Sequence, residues 1–211
     1  MSRLATQAKE SIYSLQYFSD DYRRIIAERD KSFYNKNYSE YDNFSYVINR
    51  YSGNEYSILN NYLRDGTFTP NYEFTKNDLR TWAYCLHSSL QFRTSNVSNG
   101  TTVYRGISRP APSSWKVGRR FYFGEFVSTS LEKQVGINFS QGQTLLVITI
   151  KNNGTNGRNN YCRWIGDISE YGYEDEVLIT AFCIYEITDI EEDEDGCDNI
   201  IYMDCLIILN K

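Results

Sequence analysis

From residue 101 onward the chain runs in short stretches of Val, Ile, Thr, Tyr and Phe interrupted by Gly, Asn and Ser. Over the first ninety residues the apolar positions instead recur at intervals of three and four. The second spacing is that of helices with one buried face; the first is that of strands and turns. Leu4, Ala8, Ile12, Leu15 and Phe18 predict a helix or pair of helices within residues 3–30. Gly53-Asn54 opens a helix carrying Tyr56, Leu59 and Leu63, which Asp65-Gly66 closes. Thr75 is a candidate N-cap for a helix through Leu79, Trp82, Ala83, Leu86 and Leu90. After the turn residues Ser98-Asn99-Gly100, strands are expected at 102–107, 121–130, 144–150, 176–187 and 200–209. A short helical turn through Val135 and Phe139 separates the second from the third, and 152–160 reads as a Gly/Asn hairpin or loop. No internal repeat is visible. The pattern gives an α+β fold in a single domain, with residues 1–97 mainly helical and 98–211 rich in strand.

Composition narrows this picture. At 211 residues with 41% hydrophobic content, the chain is long enough to bury one substantial core. Nineteen Tyr and eleven Phe against two Met imply many rings buried at element edges with their hydroxyls wet. The net charge is −5, and 191–195 is an unbroken acidic run, read here as a solvated β-turn. A nucleic-acid binder that neutralises phosphates shows the opposite bias, so no nucleic-acid partner is expected. Five cysteines with no C-x-x-C spacing and a single histidine, His87, argue against a structural zinc site. No metal is expected, and His87 reads as a core or edge residue of its helix. The odd cysteine count leaves a thiol free in a monomer and fits a reducing compartment, with one or two disulfides still possible. Residues 1–7 lack the apolar stretch of a signal peptide and no run reaches membrane-spanning length. An intracellular protein, unconventional export and an excised domain all remain open.

Three short motifs stand in order on three of the expected strands: V-Y-R-G-I at 103–107, F-V-S-T-S-L at 126–131 and E-Y-G-Y-E-D-E-V-L-I at 170–179. In the last, Glu174 and Glu176 are two residues apart, so on a strand their carboxylates point the same way. Like charges held that close call for a cationic or hydroxylic group between them. Alone, the pair is also what a solvated strand end in an acidic protein looks like. Preceded by Arg105 and by Ser128-Thr129-Ser130, it resembles the arginine–serine–glutamate clan of mono-ADP-ribosyltransferases, especially the arginine-modifying toxins and the vertebrate-type ecto-enzymes. The resemblance covers about residues 56–187. Upstream, residues 56–64 resemble the clan's helix whose tyrosine and following asparagine contact NAD.

The resemblance implies a helical N-terminal lobe packed on a two-sheet β-core, with a cleft where they meet. It implies NAD as substrate, no metal, and an acceptor protein carrying a reactive arginine. By resemblance Glu176 is the catalytic carboxylate, bonding the 2′-hydroxyl of the nicotinamide ribose and stabilising an oxocarbenium-like transition state. Glu174 matches the position that engages the acceptor, where it can orient a guanidinium and take its proton. Families that modify asparagine or guanine commonly carry Gln there, so glutamate points to arginine. Arg105 matches the arginine that clamps NAD through its phosphates and braces the active-site strand, a task for a bidentate fork. Gly106 is expected to let the nicotinamide amide approach the backbone. Ser128 matches the serine holding the catalytic glutamate, with Thr129 and Ser130 supporting the strand and the nicotinamide ribose. Phe139 falls where the toxins stack an aromatic ring on nicotinamide. The arginine that often follows it is absent, since the chain continues Ser140-Gln141-Gly142-Gln143; Arg105 and Asn60 then carry more of the pyrophosphate. Tyr56 and Asn60, one helical turn apart, are expected on a shared face toward NAD, and Tyr171 fits the aromatic that helps to select the acceptor.

Two other functions fit parts of this reading. Water can replace arginine at the same cation, giving an NAD glycohydrolase. The fold can also serve as a non-catalytic binding module, against which the retention of Arg105, Ser128 and Glu176 argues. Neither the acceptor nor the choice between toxin and endogenous regulator is legible here; a monomer is expected.

Overall fold

The structure is a computed structural model that describes residues 45, 47–65, 75–92, 97–151, 161–181 and 183–206. The helix expected within 3–30 and the loop expected at 152–160 lie outside the described residues. The chain divides into two compact units, Met1–Phe92 and Arg93–Lys211.

In the N-terminal unit, helix α1 spans Tyr56–Asp65 and helix α2 spans Lys76–Phe92. Helix α2 buries Leu79, Trp82, Ala83, Leu86 and Leu90, the stripe that its spacing predicts. Its first turn closes as Leu79 N donates to Thr75 O at 3.2 Å. Burial lowers the pKa of His87 on the same helix, which keeps the ring neutral at physiological pH. Gly53-Asn54 does not open α1. A π-helical turn, Tyr51–Glu55, runs directly into it, and Gly53 leaves helical geometry within that turn (φ −80°, ψ −155°). Gly53 thus lies at a kink between two helical segments instead of starting one.

The C-terminal unit is built on eight strands: β1 (Thr102–Ile107), β2 (Arg120–Tyr122), β3 (Val127–Ser130), β4 (Thr144–Lys151), β5 (Cys162–Trp164), β6 (Glu176–Ile179), β7 (Ile184–Glu194) and β8 (Cys197–Leu206). Helix α3 (Lys133–Ser140) lies between β3 and β4 in sequence. The strands follow one another in space as β2-β7-β8-β4-β1-β3-β6-β5. Where two separate sheets were expected, the hydrogen bonding is continuous but pinched. β1 and β3 meet at a single register pair, Tyr104↔Ser130, which joins a five-stranded block to a three-stranded one.

Strand β4 sits centrally, parallel to β8 and antiparallel to β1. Its sequence TLLVITIK is accordingly a nearly unbroken apolar run, because both faces are covered. On one face Val103, Leu146, Ile148, Val177, Ile179, Ile187 and Met203 form the main core. On the other, Leu145, Val147 and Ile200 pack with Tyr104, Tyr202 and Ile137 of α3. The acidic run at 191–195 is not a turn over most of its length. It forms the end of β7, with Tyr202 donating across to Glu191 at 2.7 Å, and only Asp195 lies in the turn.

Helix α3 approaches β1 so closely that glycine is required at the crossing. A Cβ placed on Gly106 would lie 2.2 Å from both Gly136 O and Ser140 N. The room left by its missing side chain is therefore filled by helix backbone, and this helix-on-strand packing by itself requires a glycine here. Gly106→Ala must displace α3 or β1, and overpacking of this kind destabilises by about 1–3 kcal/mol. A urea midpoint for Gly106→Ala equal to that of the parent chain would contradict this packing.

Candidate active site

Strands β3 and β6 pair antiparallel, with Ser130 opposite Glu176 and Ser128 opposite Leu178. Ser128 is thus the diagonal neighbour of Glu176 on the same face, within reach of a long side chain. Its hydroxyl donates to Glu176 Oε1. The second carboxylate oxygen, Oε2, accepts from Ser169 Oγ at 2.8 Å. Glu176 is 4% exposed, so the chain holds a carboxylate out of water on two hydroxyl donors. Burial raises its pKa above the ordinary range, and the two serine bonds pull the other way without reversing the shift.

The sign of that shift makes a prediction. A carboxyl whose folded pKa is raised contributes its full stability below the unfolded value, and loses it as pH rises through the folded value. Glu176→Gln is always neutral, so its melting temperature should exceed the parent's near pH 7, with the gap closing toward pH 4. A constant gap across that range would show that Glu176 is not buried as an anion.

Glu174 is not on the strand, as its two-residue spacing from Glu176 implied. It ends a 3₁₀ turn, Gly172–Glu174, and Asp175 then adopts the left-handed conformation (φ 45°) before β6 begins. Strand alternation therefore does not relate the two carboxyls. Proximity still does: burial raises the Glu174 pKa, and the negative charge of Glu176 raises it further. Three contacts fix the turn. Ser130 Oγ donates to Glu174 O at 2.5 Å, Leu131 N to Asp175 O at 3.2 Å, and Trp164 Nε1 to Asp175 Oδ1 at 3.2 Å.

The Ser-Thr-Ser segment divides its hydroxyls among three tasks. Ser128 holds the Glu176 carboxylate, Thr129 donates to Val177 O at 2.6 Å, and Ser130 ties down the Glu174 turn while accepting from Glu132 N at 2.9 Å. Thr129 and Ser130 are both buried. Arg105, half-buried on β1, donates from Nη1 to Ser128 O at 3.1 Å. It bridges β1 and β3 beside their single register pair. That bond engages one of the five N–H donors of a guanidinium.

Phe139, on α3, is 56% exposed. The residues after it close the helix: Ser140 Oγ donates to Ile137 O at 2.7 Å, and Gln141 and Gly142 take positive φ. Tyr171 meets Tyr173 edge to face at 6.1 Å, and Tyr173 is the more open of the two at 79% exposed. Arg105, Gly106, Ser128, Thr129, Ser130, Phe139, Tyr171, Glu174 and Glu176 all belong to the C-terminal unit, whereas Tyr56 and Asn60 belong to the N-terminal one. Those two do not share an exposed face. Tyr56 lies open to solvent, while Asn60 is buried and donates to Tyr51 Oη at 2.9 Å. Tyr51 is itself buried and packs edge-on against Tyr56.

Sequence reasoning passed over Ser169 and Tyr173. Ser169 lies seven residues before its carboxylate partner in an irregular segment, and no spacing rule joins them. Among the described residues, no group of three or more His, Cys, Asp or Glu side chains is placed to hold a metal ion, and no helix is long and apolar enough to cross a membrane. None of the cysteines at 85, 162, 183, 197 and 205 is in a disulfide.

A sequence model of the family described as NAD:arginine ADP-ribosyltransferase matches residues 22–204. The chain belongs to that family. It is similar to NAD(P)(+)–arginine ADP-ribosyltransferase 2 of Gallus gallus, with 31% identity over 137 residues, or 65% of this chain and 40% of the chicken protein. The chain thus spans well under half the length of that relative. Its fold is similar to that of Vis, an ADP-ribosyltransferase from Vibrio splendidus solved with agmatine (TM-score 0.62, 21% identity, 95% of this chain and 86% of that one). It is similar also to exoenzyme S from Pseudomonas aeruginosa, solved with a human 14-3-3 protein and carba-NAD (TM-score 0.59, 17% identity, 94% and 88%).

Proposed function

We propose that this chain transfers ADP-ribose from NAD to an arginine side chain of an acceptor protein, releasing nicotinamide, and that it acts as a monomer. The observation that carries this reading is the buried Glu176 carboxylate, held on one oxygen by Ser128 and on the other by Ser169, with the Glu174 carboxyl beside it. NAD supplies a ribosyl carbon that becomes cation-like as neutral nicotinamide leaves. Fixed negative charge in a water-poor site is what stabilises such a centre.

The other residues fit the parts of that substrate. Arg105 keeps N–H donors beyond the one on Ser128 O, and these suit a pyrophosphate. The exposed ring of Phe139 offers a face to nicotinamide. Of the N-terminal pair, Tyr56 is open to contact NAD, while Asn60 supports its helix through Tyr51. Glu174 orients the incoming guanidinium and takes its proton. A carboxyl with a raised pKa is the better base for that step. Tyr171 contacts the acceptor, and the more exposed Tyr173 stands beside it.

The test is to supply NAD and agmatine, then quantify nicotinamide and ADP-ribosylated agmatine in the same reaction. Both should accumulate. Nicotinamide with free ADP-ribose alone would identify a glycohydrolase, and the absence of nicotinamide would overturn the reading.

A further inference from the structure

The Ser169 hydroxyl has two partners. It donates to Glu176 Oε2 at 2.8 Å and accepts from Tyr171 N at 3.2 Å. Local backbone places it there. Ile165 N donates to Glu176 O at 2.8 Å, so the segment leaves β5 already fastened to the start of β6. Ile168 N and Ser169 N then both donate to Ile165 O, at 2.9 and 2.7 Å, curling the chain back toward the carboxylate. The rest of the segment is closely packed: a Cβ on Gly172 would meet Gly166 O at 2.8 Å, and one on Gly166 would meet the Trp164 ring at 2.9 Å. Trp164 in turn donates to Asp175, the residue between the two glutamates.

We infer that Ser169 is a positioning residue for the transfer reaction, fixing the second oxygen of Glu176 and registering the Tyr171–Tyr173–Glu174 turn against it. The inference rests on the proposed function above. A carboxylate held by Ser128 alone can rotate about its Cγ–Cδ bond; a donor on each oxygen fixes its plane. The oxygen that supplies the second donor is also an acceptor for the turn bearing Glu174 and the aromatic pair, so carboxylate and acceptor loop hold one geometry. The groups facing Glu176 are Ser128 from β3, Ser169 from the loop and the Glu174 carboxyl from the turn, with the Arg105 guanidinium of β1 on the Ser128 carbonyl. Of these, only the two hydroxyls donate to the carboxylate.

The experiment compares the parent chain with Ser169→Ala and Ser169→Thr, the latter restoring a hydroxyl. With carbon-13 in the glutamate carboxyls and Glu176→Gln to assign the signal, the Glu176 titration midpoint should move upward in Ser169→Ala. It should return toward the parent in Ser169→Thr. Nicotinamide release by Ser169→Ala should fall about tenfold near pH 6, as expected for loss of one hydrogen bond to a charged group. The deficit should narrow toward pH 8 as the carboxyl ionises, which a merely structural defect would not do. An unchanged Glu176 midpoint in Ser169→Ala overturns the inference. A parent chain that releases no nicotinamide, while the midpoint still moves, would instead overturn the proposed function and leave the positioning contact established.

Discussion

Glu176→Gln is expected to abolish nicotinamide release and arginine labelling together. Glutamine keeps the shape of the side chain and can still accept from one of the two serines, but it removes the buried negative charge held between Ser128 and Ser169. A developing cation in a water-poor site depends on that charge, and losing one preorganised electrostatic contact typically slows turnover by about 100- to 1000-fold. Because the same cation precedes attack by either arginine or water, the two product streams should fall by the same factor. The variant should also be folded, and more heat-stable than its parent near neutral pH, which separates lost chemistry from lost structure. Near-parental nicotinamide release by a folded Glu176→Gln protein would remove Glu176 from the mechanism.

The second large effect separates the two glutamates. Glu174→Gln should lose ADP-ribosylation of agmatine by about 100-fold, the scale of general-base catalysis, while nicotinamide release stays within a few-fold of the parent. The reason lies in the fold. Glu174 sits in the 3₁₀ turn ahead of β6, half-buried, and its backbone is tied through Ser130. Neutralising it removes the group that receives the guanidinium proton without touching the serine contacts to Glu176. Water attacking the same centre needs no such base. Measuring both products on one preparation decides the matter. A parallel collapse would make Glu174 a support of the NAD site and would withdraw the residue-level case for arginine as acceptor.

The limits of sequence reading fall at identifiable residues. Strand β1 was legible to its ends because Thr102–Ile107 keeps one partner, β4, along its whole length. The expected strand at 121–130 is two strands, and so is the one at 176–187. In each case a stretch rich in β-forming residues changes partner midway: β2 pairs with β7 whereas β3 pairs with β6, and β6 pairs with β3 and β5 whereas β7 pairs with β2 and β8. Propensity reports that a residue suits a pleated surface; it carries no record of which neighbour supplies that surface. The three-residue edge strand β5 is too short to show any period.

The site divides along the same line. Sequence alone determined the residue types and their order, an arginine, then Ser-Thr-Ser, then two glutamates, because that chemistry is carried by side-chain identity within short contiguous motifs. The α+β class was likewise written in the change from helical to strand spacing near residue 100. Tertiary structure alone decided that Ser130 faces Glu176 and leaves Ser128 on the diagonal, that Glu174 belongs to a turn, and that α3 backbone is what requires glycine at 106. It alone decided that Ser169 closes on the second carboxylate oxygen. Each of these is a relation set by register, by a left-handed residue at Asp175 or by the approach of a helix to a strand. Such relations come into being only when segments distant along the chain share one packed surface, so no local pattern of residues encodes them.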